Sequence, residues 1–181
     1  MKPSMLEHAL LGLLRQQPQS GYDLRKTFAS TPMRHFSDSP GSIYPALRRM
    51  QARGWVRASA ESGNARQRRI FAVTATGTRV QIQWLRRPIT RDDIIWGLDE
   101  LMLRFAFLDG NVERPEALKF LQSFEQALAP YLDELSDFEK TFDARFRRST
   151  GFHAFRCGVE SYRAHLRWLR GVRKEFMEVS S

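Results

Sequence analysis

Cysteine is almost absent from this chain: Cys157 is the only one in 181 residues. An internal disulfide framework is excluded, and a reducing compartment, the cytoplasm, is the expected location. Long apolar runs are missing too. None approaches the ~20 residues that a bilayer crossing requires, so no membrane partner is expected. The opening stretch "MKPSMLEHALLGLLRQQP" has no small-residue cleavage site, and Glu7 and His8 interrupt its apolar run. It reads as a first core helix, not a secretory signal. Catalytic signatures are equally scarce. The chain has no His-Glu-x-x-His, no nucleophile elbow and no phosphate-cradling glycine loop. No catalytic residue, no cofactor and no enzymatic activity are therefore expected.

Negative charge is scarce in one half only. Residues 1–90 hold 15 Lys+Arg against 4 Asp+Glu, whereas residues 91–181 hold 14 against 16. The net charge of +9 thus sits entirely in the first half. Such a split suggests two domains, the first facing a polyanion. Charge alone fits DNA, RNA, an anionic membrane or a merely solvated basic surface. With 42% hydrophobic and 12% aromatic residues, the chain has the material for folded cores in both halves.

A boundary falls at "RRPITRDD", where a proline precedes Thr90, an N-cap candidate with Asp93 three residues on. The expected domains are 1–88 and 89–181. Before the boundary the elements are short and mixed. "SMLEHALLGLL" reads as a helix with Leu6, Leu10, Leu13 and Leu14 on one face. "QQPQSGYDLRKTF" reads as a turn and a second helix, capped by Ser20 and carrying Leu24 and Phe28 one turn apart. "SPGSIYPALRRMQARGWV" supplies a third helix. "WVRASAES", "GNA" and "RQRRIFAVT" follow as strand, tight turn and strand, and "ATGTRVQIQWL" restarts a helix.

Three short helices and a two-stranded ribbon form the layout of a winged helix-turn-helix, in which the third helix enters the DNA major groove. Its geometry can be worked out at 100° per residue. Leu47 and Met50 fall within about 40° of Ile43, and Ala46 within about 60°, making an inward stripe. Arg48 lies about 140° away and Arg49 about 120° on the other side, both outward, with Tyr44 on the flank. Ser39 is available as a cap. Pro45 is tolerable only in a first turn, which sets the start of the regular helix close to Ser42. Exposed N–H groups there favour phosphate.

The ribbon's tip, "SGNARQRR", places Asn64 in a tight turn and Arg66, Arg68 and Arg69 within four residues. Like charges so close repel one another and favour contact with an anion. A solvated hairpin tip is the plainer reading of the same run.

The stretches "ALLGLLRQQPQSGYDLRKTF", "SPGSIYPALRRMQARGWV" and "RRIFAVTATGTRVQIQWL" together resemble the three successive signatures of the PadR-like transcriptional regulators. Pro18, Gly21, Tyr22 and Leu24 match a Pro-x-x-Gly-Tyr-x-Leu segment, and Gly41 to Leu47 a Gly-Ser-Ile-Tyr-Pro-x-Leu helix. Phe71 and Val73 stand where tyrosine and leucine are usual. The resemblance spans nearly the whole first half. "CGVESYRAHLRWLRGVRKEF" is similar to the last helix of the longer members, on pattern alone.

The resemblance implies a homodimer on a palindromic double-stranded DNA operator, acting mostly as a repressor. In some members a small aromatic or phenolic compound releases the DNA. Ser39, Ser42, Tyr44, Arg48 and Arg49 on the helix, and Asn64, Arg66, Arg68 and Arg69 on the wing, are the DNA-binding candidates. Arg48 is the candidate for reading a base, since Arg to guanine is the commonest specific contact, and Arg49 for phosphate. Tyr44 fits either a phosphate donor or a half-buried packing residue.

The second half reads as all-α. "RDDIIWGLDELMLRFAFL" predicts one strong helix. "RPEALKFLQSFEQALAPYLDELSDFEKTF" predicts another, with Pro115 near its start and Pro130 bending or ending it. Phe152, Phe155, Val159, Tyr162, Leu166, Leu169, Val172 and Phe176 alternate steps of three and four. That rhythm predicts a hairpin of long helices that pairs with a second copy; a monomeric helical core is the simpler reading. The fold class is mainly α with a small β-wing, a winged helix-turn-helix domain followed by an all-α dimerisation domain.

His153, Cys157 and Glu160 share one side of the last helix, a spacing open to a transition metal. With no fourth ligand in view, an ordinary packed cysteine is preferred and no metal is expected. Trp84, Trp96 and Trp168 fit either an effector pocket or simply core. Two functions remain: a sequence-specific regulator, or a winged-helix module for protein contact or nonspecific nucleic-acid binding. Competition with unrelated DNA separates them.

Overall fold

The structure, a computed structural model, describes residues 2–31, 40–60 and 68–178. It divides into two compact units, Met1–Arg87 and Pro88–Ser181.

The first unit runs α1 (Met5–Gln16), β1 (Gln19–Ser20), α2 (Gly21–Ser30), α3 (Pro40–Ala52), β2 (Val56–Ala60), β3 (Arg69–Val73) and α4 (Ala75–Leu85). Helix α1 starts at a reciprocal cap, Ser4 and Glu7 each accepting from the other's backbone N–H. It is not merely amphipathic: every residue from Glu7 to Leu14 is buried. A helix apolar all round belongs inside a core, and α1 is the axis of this one. Leu24 and Phe28 of α2, Ile43, Ala46, Leu47 and Met50 of α3, Trp55, Val56, Phe71 and Leu85 complete it. Each large apolar side chain so buried contributes about 1.5–3 kcal/mol against the cost of ordering it.

Two local features depart from the sequence reading. Gln19–Ser20, expected as turn, form a short strand on β3, with Gln19 opposite Phe71 and Ser20 opposite Ile70. The sheet is therefore three-stranded and antiparallel, in the order β1-β3-β2. Helix α3 begins at Pro40, two residues before the expected start, which puts Pro45 in its second turn. The stripe of Ile43, Ala46, Leu47 and Met50 is wholly buried, and that packing overrides the local cost of the proline. The join to α4 is tight. Thr74 donates its hydroxyl to the Gly54 carbonyl at 2.6 Å and its N–H to the Trp55 carbonyl at 3.0 Å. A Cβ on Gly77 would lie 2.1 Å from that same Trp55 oxygen.

The second unit contains α5 (Arg91–Trp96), α6 (Leu98–Ala106), α7 (Arg114–Lys140), a single 3₁₀ turn at Phe146–Arg148 and α8 (Thr150–Glu178). The single helix expected over residues 91–108 is two, because the chain breaks at Gly97 (φ −131°, ψ 21°). Thr90 and Asp93 cap α5 reciprocally. Pro130 does not end α7, which continues to Lys140. Helices α7 and α8 form a hairpin closed by Leu121, Phe124, Leu128, Leu132, Phe152, Val159 and Leu169. Polar rungs run along it: Glu125 accepts from Arg170 at 2.8 Å and is ion-paired to Arg173 at 3.3 Å, and Tyr162 meets Tyr131 edge-on at 5.2 Å. Arg114 donates to the Phe176 carbonyl at the open end.

Two sequence expectations fail in this unit. Cys157 is exposed, not packed, and Glu160 beside it is ion-paired to Arg163 at 2.7 Å and Arg156 at 3.5 Å. Trp96 is 85% exposed and is not core. Trp168 meets Phe105 edge-on at 5.1 Å, whereas Trp84, in the first unit, stacks on His8 at 4.1 Å. No helix among the described residues is long and apolar enough to cross a membrane.

Candidate nucleic-acid interface

The site is built on the side of α3 opposite its buried stripe. Arg48 is exposed there, and among the described residues it has no hydrogen-bonded or ion-paired partner. A guanidinium left in water at the centre of an outward helix face is available to an incoming acceptor.

Arg49 faces the other way round the helix. Its Nε donates to Glu7 Oε1 at 3.0 Å, and Arg53 reaches Glu7 Oε2 at 3.4 Å while lying over the Trp55 ring at 4.8 Å. Glu7 is 2% exposed. A buried carboxylate must be paired or it becomes costly, and α3 supplies both partners. Arg49 is nonetheless 46% exposed, so it holds α1 with one edge and shows the other to solvent. Next to Glu7, His8 Nδ1 lies 3.1 Å from Gln81 Oε1, a buried polar pair between α1 and α4.

Tyr44 projects over the start of α2. A Cβ on Gly21 would fall 2.6 Å from Tyr44 Cε1, so the ring rests where only glycine leaves room. At 41% exposure, one edge of the Tyr44 ring packs and the rest is accessible. Ser42 is half-buried in the first turn of α3.

On the strand side, Arg68 Nη2 lies 3.8 Å from Asp23 Oδ1, and its guanidinium sits over the Tyr22 ring at 5.5 Å. Arg25 approaches the same ring at 5.8 Å. Arg69 donates to Gln51 Oε1 at 3.4 Å. The Ser20 hydroxyl, donating to Asp23 Oδ2 at 2.6 Å, holds the Asp23 carboxyl below the usual carboxylate range, and Arg68 adds to the effect. Together Ser20, Gly21, Tyr22, Tyr44, Arg48, Gln51, Arg68, Arg69 and Phe71 line an open cleft of about 270 Å³ between α2, α3 and β3.

Of the candidates named from the sequence, Tyr44, Arg48, Arg68 and Arg69 meet around this cleft, and Arg49 lies round the helix from it. Ser39, Asn64 and Arg66 lie outside the described residues. Tyr22 and Gln51 were not among the candidates. Tyr22 carried a signal in the Gly21-Tyr22 pair. Gln51 had one too: at 100° per residue it falls within about 20° of Tyr44 around α3. Aromatic faces and guanidinium forks around one groove suit sugar-phosphate and base edges.

Residues 10–82 match the model of the transcriptional regulator PadR-like family. The negative transcriptional regulator PadR of Bacillus subtilis is 26% identical over 140 residues, covering 77% of this chain and 74% of that protein. A probable transcriptional regulator of Mycobacterium tuberculosis is 29% identical over 86 residues, 47% of this chain and 46% of that one. Among solved structures, Bacillus subtilis PadR with operator DNA is similar at TM-score 0.44 and 22% identity, over 94% of this chain and 98% of that one. The same regulator with p-coumaric acid gives 0.41 and 23%, over 95% and 98%.

Proposed function

We propose, from the match of residues 10–82 to the transcriptional regulator PadR-like family, that this chain is a cytoplasmic repressor that binds a palindromic operator as a homodimer. Two copies present two α3 helices to successive major-groove half-sites, and each wing reaches adjoining backbone. Arg48 reads a base edge. Arg49, Arg66, Arg68 and Arg69 neutralise phosphates, and Ser39, Ser42, Tyr44 and Asn64 position the backbone. Nothing in this mechanism is catalytic: occupancy of the operator is the output. The name of the Bacillus subtilis relative, a negative regulator, supports repression as the direction.

The observation that carries the proposal is the exposed Arg48 beside a cleft lined by Tyr22, Tyr44, Arg68 and Arg69. The test is selection of bound sites from random duplex DNA, followed by Arg48→Ala. A lost bidentate base contact costs about 1–3 kcal/mol of discrimination at one position per half-site. Removing a phosphate-binding arginine instead lowers the salt slope of log K by about 0.9 for each phosphate no longer neutralised. Selected and scrambled duplexes bound alike, or binding untouched by Arg48→Ala, would reject it. The proposal extends to release by a small aromatic or phenolic acid, checked by titrating p-coumaric acid into the DNA complex.

A further inference from the structure

A carboxylate stands on this cationic face, and bulk electrostatics gives it no reason to. Asp23 is 42% exposed, close enough to the cleft that its charge opposes an approaching phosphate. Helix capping accounts for only half of it. Its Oδ2 takes the Ser20 hydroxyl and backbone N–H, while Oδ1 is turned to Arg68. The Tyr22 ring lies beneath the same guanidinium. One residue along β3, Arg69 is tied to Gln51 of α3. The two arginines that lead into β3 are thus tethered to two different helices. Nothing in the core requires these tethers, because β3 is already fixed by its ladders to β1 and β2.

We propose that Asp23, with Tyr22, is a positioning residue that holds Arg68 pointed for the duplex before DNA arrives. This rests on the DNA-binding reading above. A free arginine side chain loses rotamer freedom when it is fixed. A tether that fixes it in advance removes part of that cost from the binding step, the general benefit of preorganisation. The ion pair is exposed and the stacked contact weak, so Arg68 can leave Asp23 for a phosphate at little loss. Gln51 serves Arg69 in the same way through a single hydrogen bond.

The proposal and simple charge counting predict opposite signs. Asp23→Asn removes a negative charge from a DNA-facing surface, so charge counting expects tighter binding to every duplex. Preorganisation expects binding to the wild-type-selected duplex to weaken about three- to tenfold, with a scrambled duplex bound equally or more tightly. In an Arg68→Ala background, Asp23→Asn should have no further effect on the selected duplex. Equal or tighter selected-duplex binding by Asp23→Asn, or an undiminished effect without Arg68, would overturn the proposal. The Arg68 Nε–H signal in DNA-free full-length protein gives an independent readout. Its order should be lost in Asp23→Asn, and unchanged order in Asp23→Asn would refute the tether. If wild type fails to distinguish the two duplexes, the regulator reading falls, while this measurement still decides the tether.

Discussion

Replacing Glu7 with glutamine should destabilise the first unit by about 2 kcal/mol, although the two side chains have nearly the same shape. Glu7 is the only acidic residue that the first unit buries, among the described residues, and it serves three partners at once. At the start of α1 its carboxylate accepts the Ser4 N–H at 3.0 Å; across the core it accepts from Arg49 and Arg53. Breaking a fully buried pair by removing one partner costs about 3–5 kcal/mol, because a charge is stranded. Here the stranded charges reach water: the Arg49 and Arg53 side chains are 46% and 23% exposed. Solvent therefore reduces that share to about 1–2 kcal/mol. The weakened cap adds about 0.5–1 kcal/mol. For a unit of this size, 2 kcal/mol lowers the melting temperature by about 10 °C, measurable by calorimetry of the full-length chain. Arg49→Ala should also destabilise, and the double variant should lose less than the sum, since both changes break one pair. A melting temperature for Glu7→Gln within about 1 °C of wild type, or strictly additive losses, would show that Glu7 does not tie α1 to α3.

Gly77→Ala drives a Cβ against the Trp55 backbone carbonyl, and backbone cannot swing aside, so melting should fall by several degrees. Gly21→Ala meets only the Tyr44 ring; it should spare stability largely and disturb DNA binding, as parallel melting and binding curves would report. At alkaline pH, burial and the neighbouring Tyr131 raise Tyr162 above the usual tyrosine value. The folded state then holds that proton more tightly, a contribution present below about pH 10 and lost as pH rises through the folded value. Ultraviolet titration of the four tyrosines should show one late step, absent in Tyr162→Phe.

The inward stripe of α3, the Ser20 and Thr90 caps and the α4 restart were legible because each rests on helical periodicity or on partners three residues apart. Glu7 and His8 were visible only as interruptions of an apolar run. Their partners, Arg49 and Gln81, lie 42 and 73 residues away, beyond any local pattern. Gln19–Ser20 was missed for a similar reason: a two-residue strand exists only because β3 offers it an edge. The break at Gly97 was hidden by apolar spacing that continues in step across it. In the cleft, the arginines stood out as a run, whereas Tyr22 and Gln51 acquire meaning only from the side chains that fold against them.

An indole as bare as Trp96 gives the molecule a native optical probe. At 85% exposure it should emit at long wavelength and be quenched freely by acrylamide, in contrast to the interior indoles Trp55 and Trp84. Whatever settles on that corner of the helical unit would shift its emission to the blue, with no dye attached.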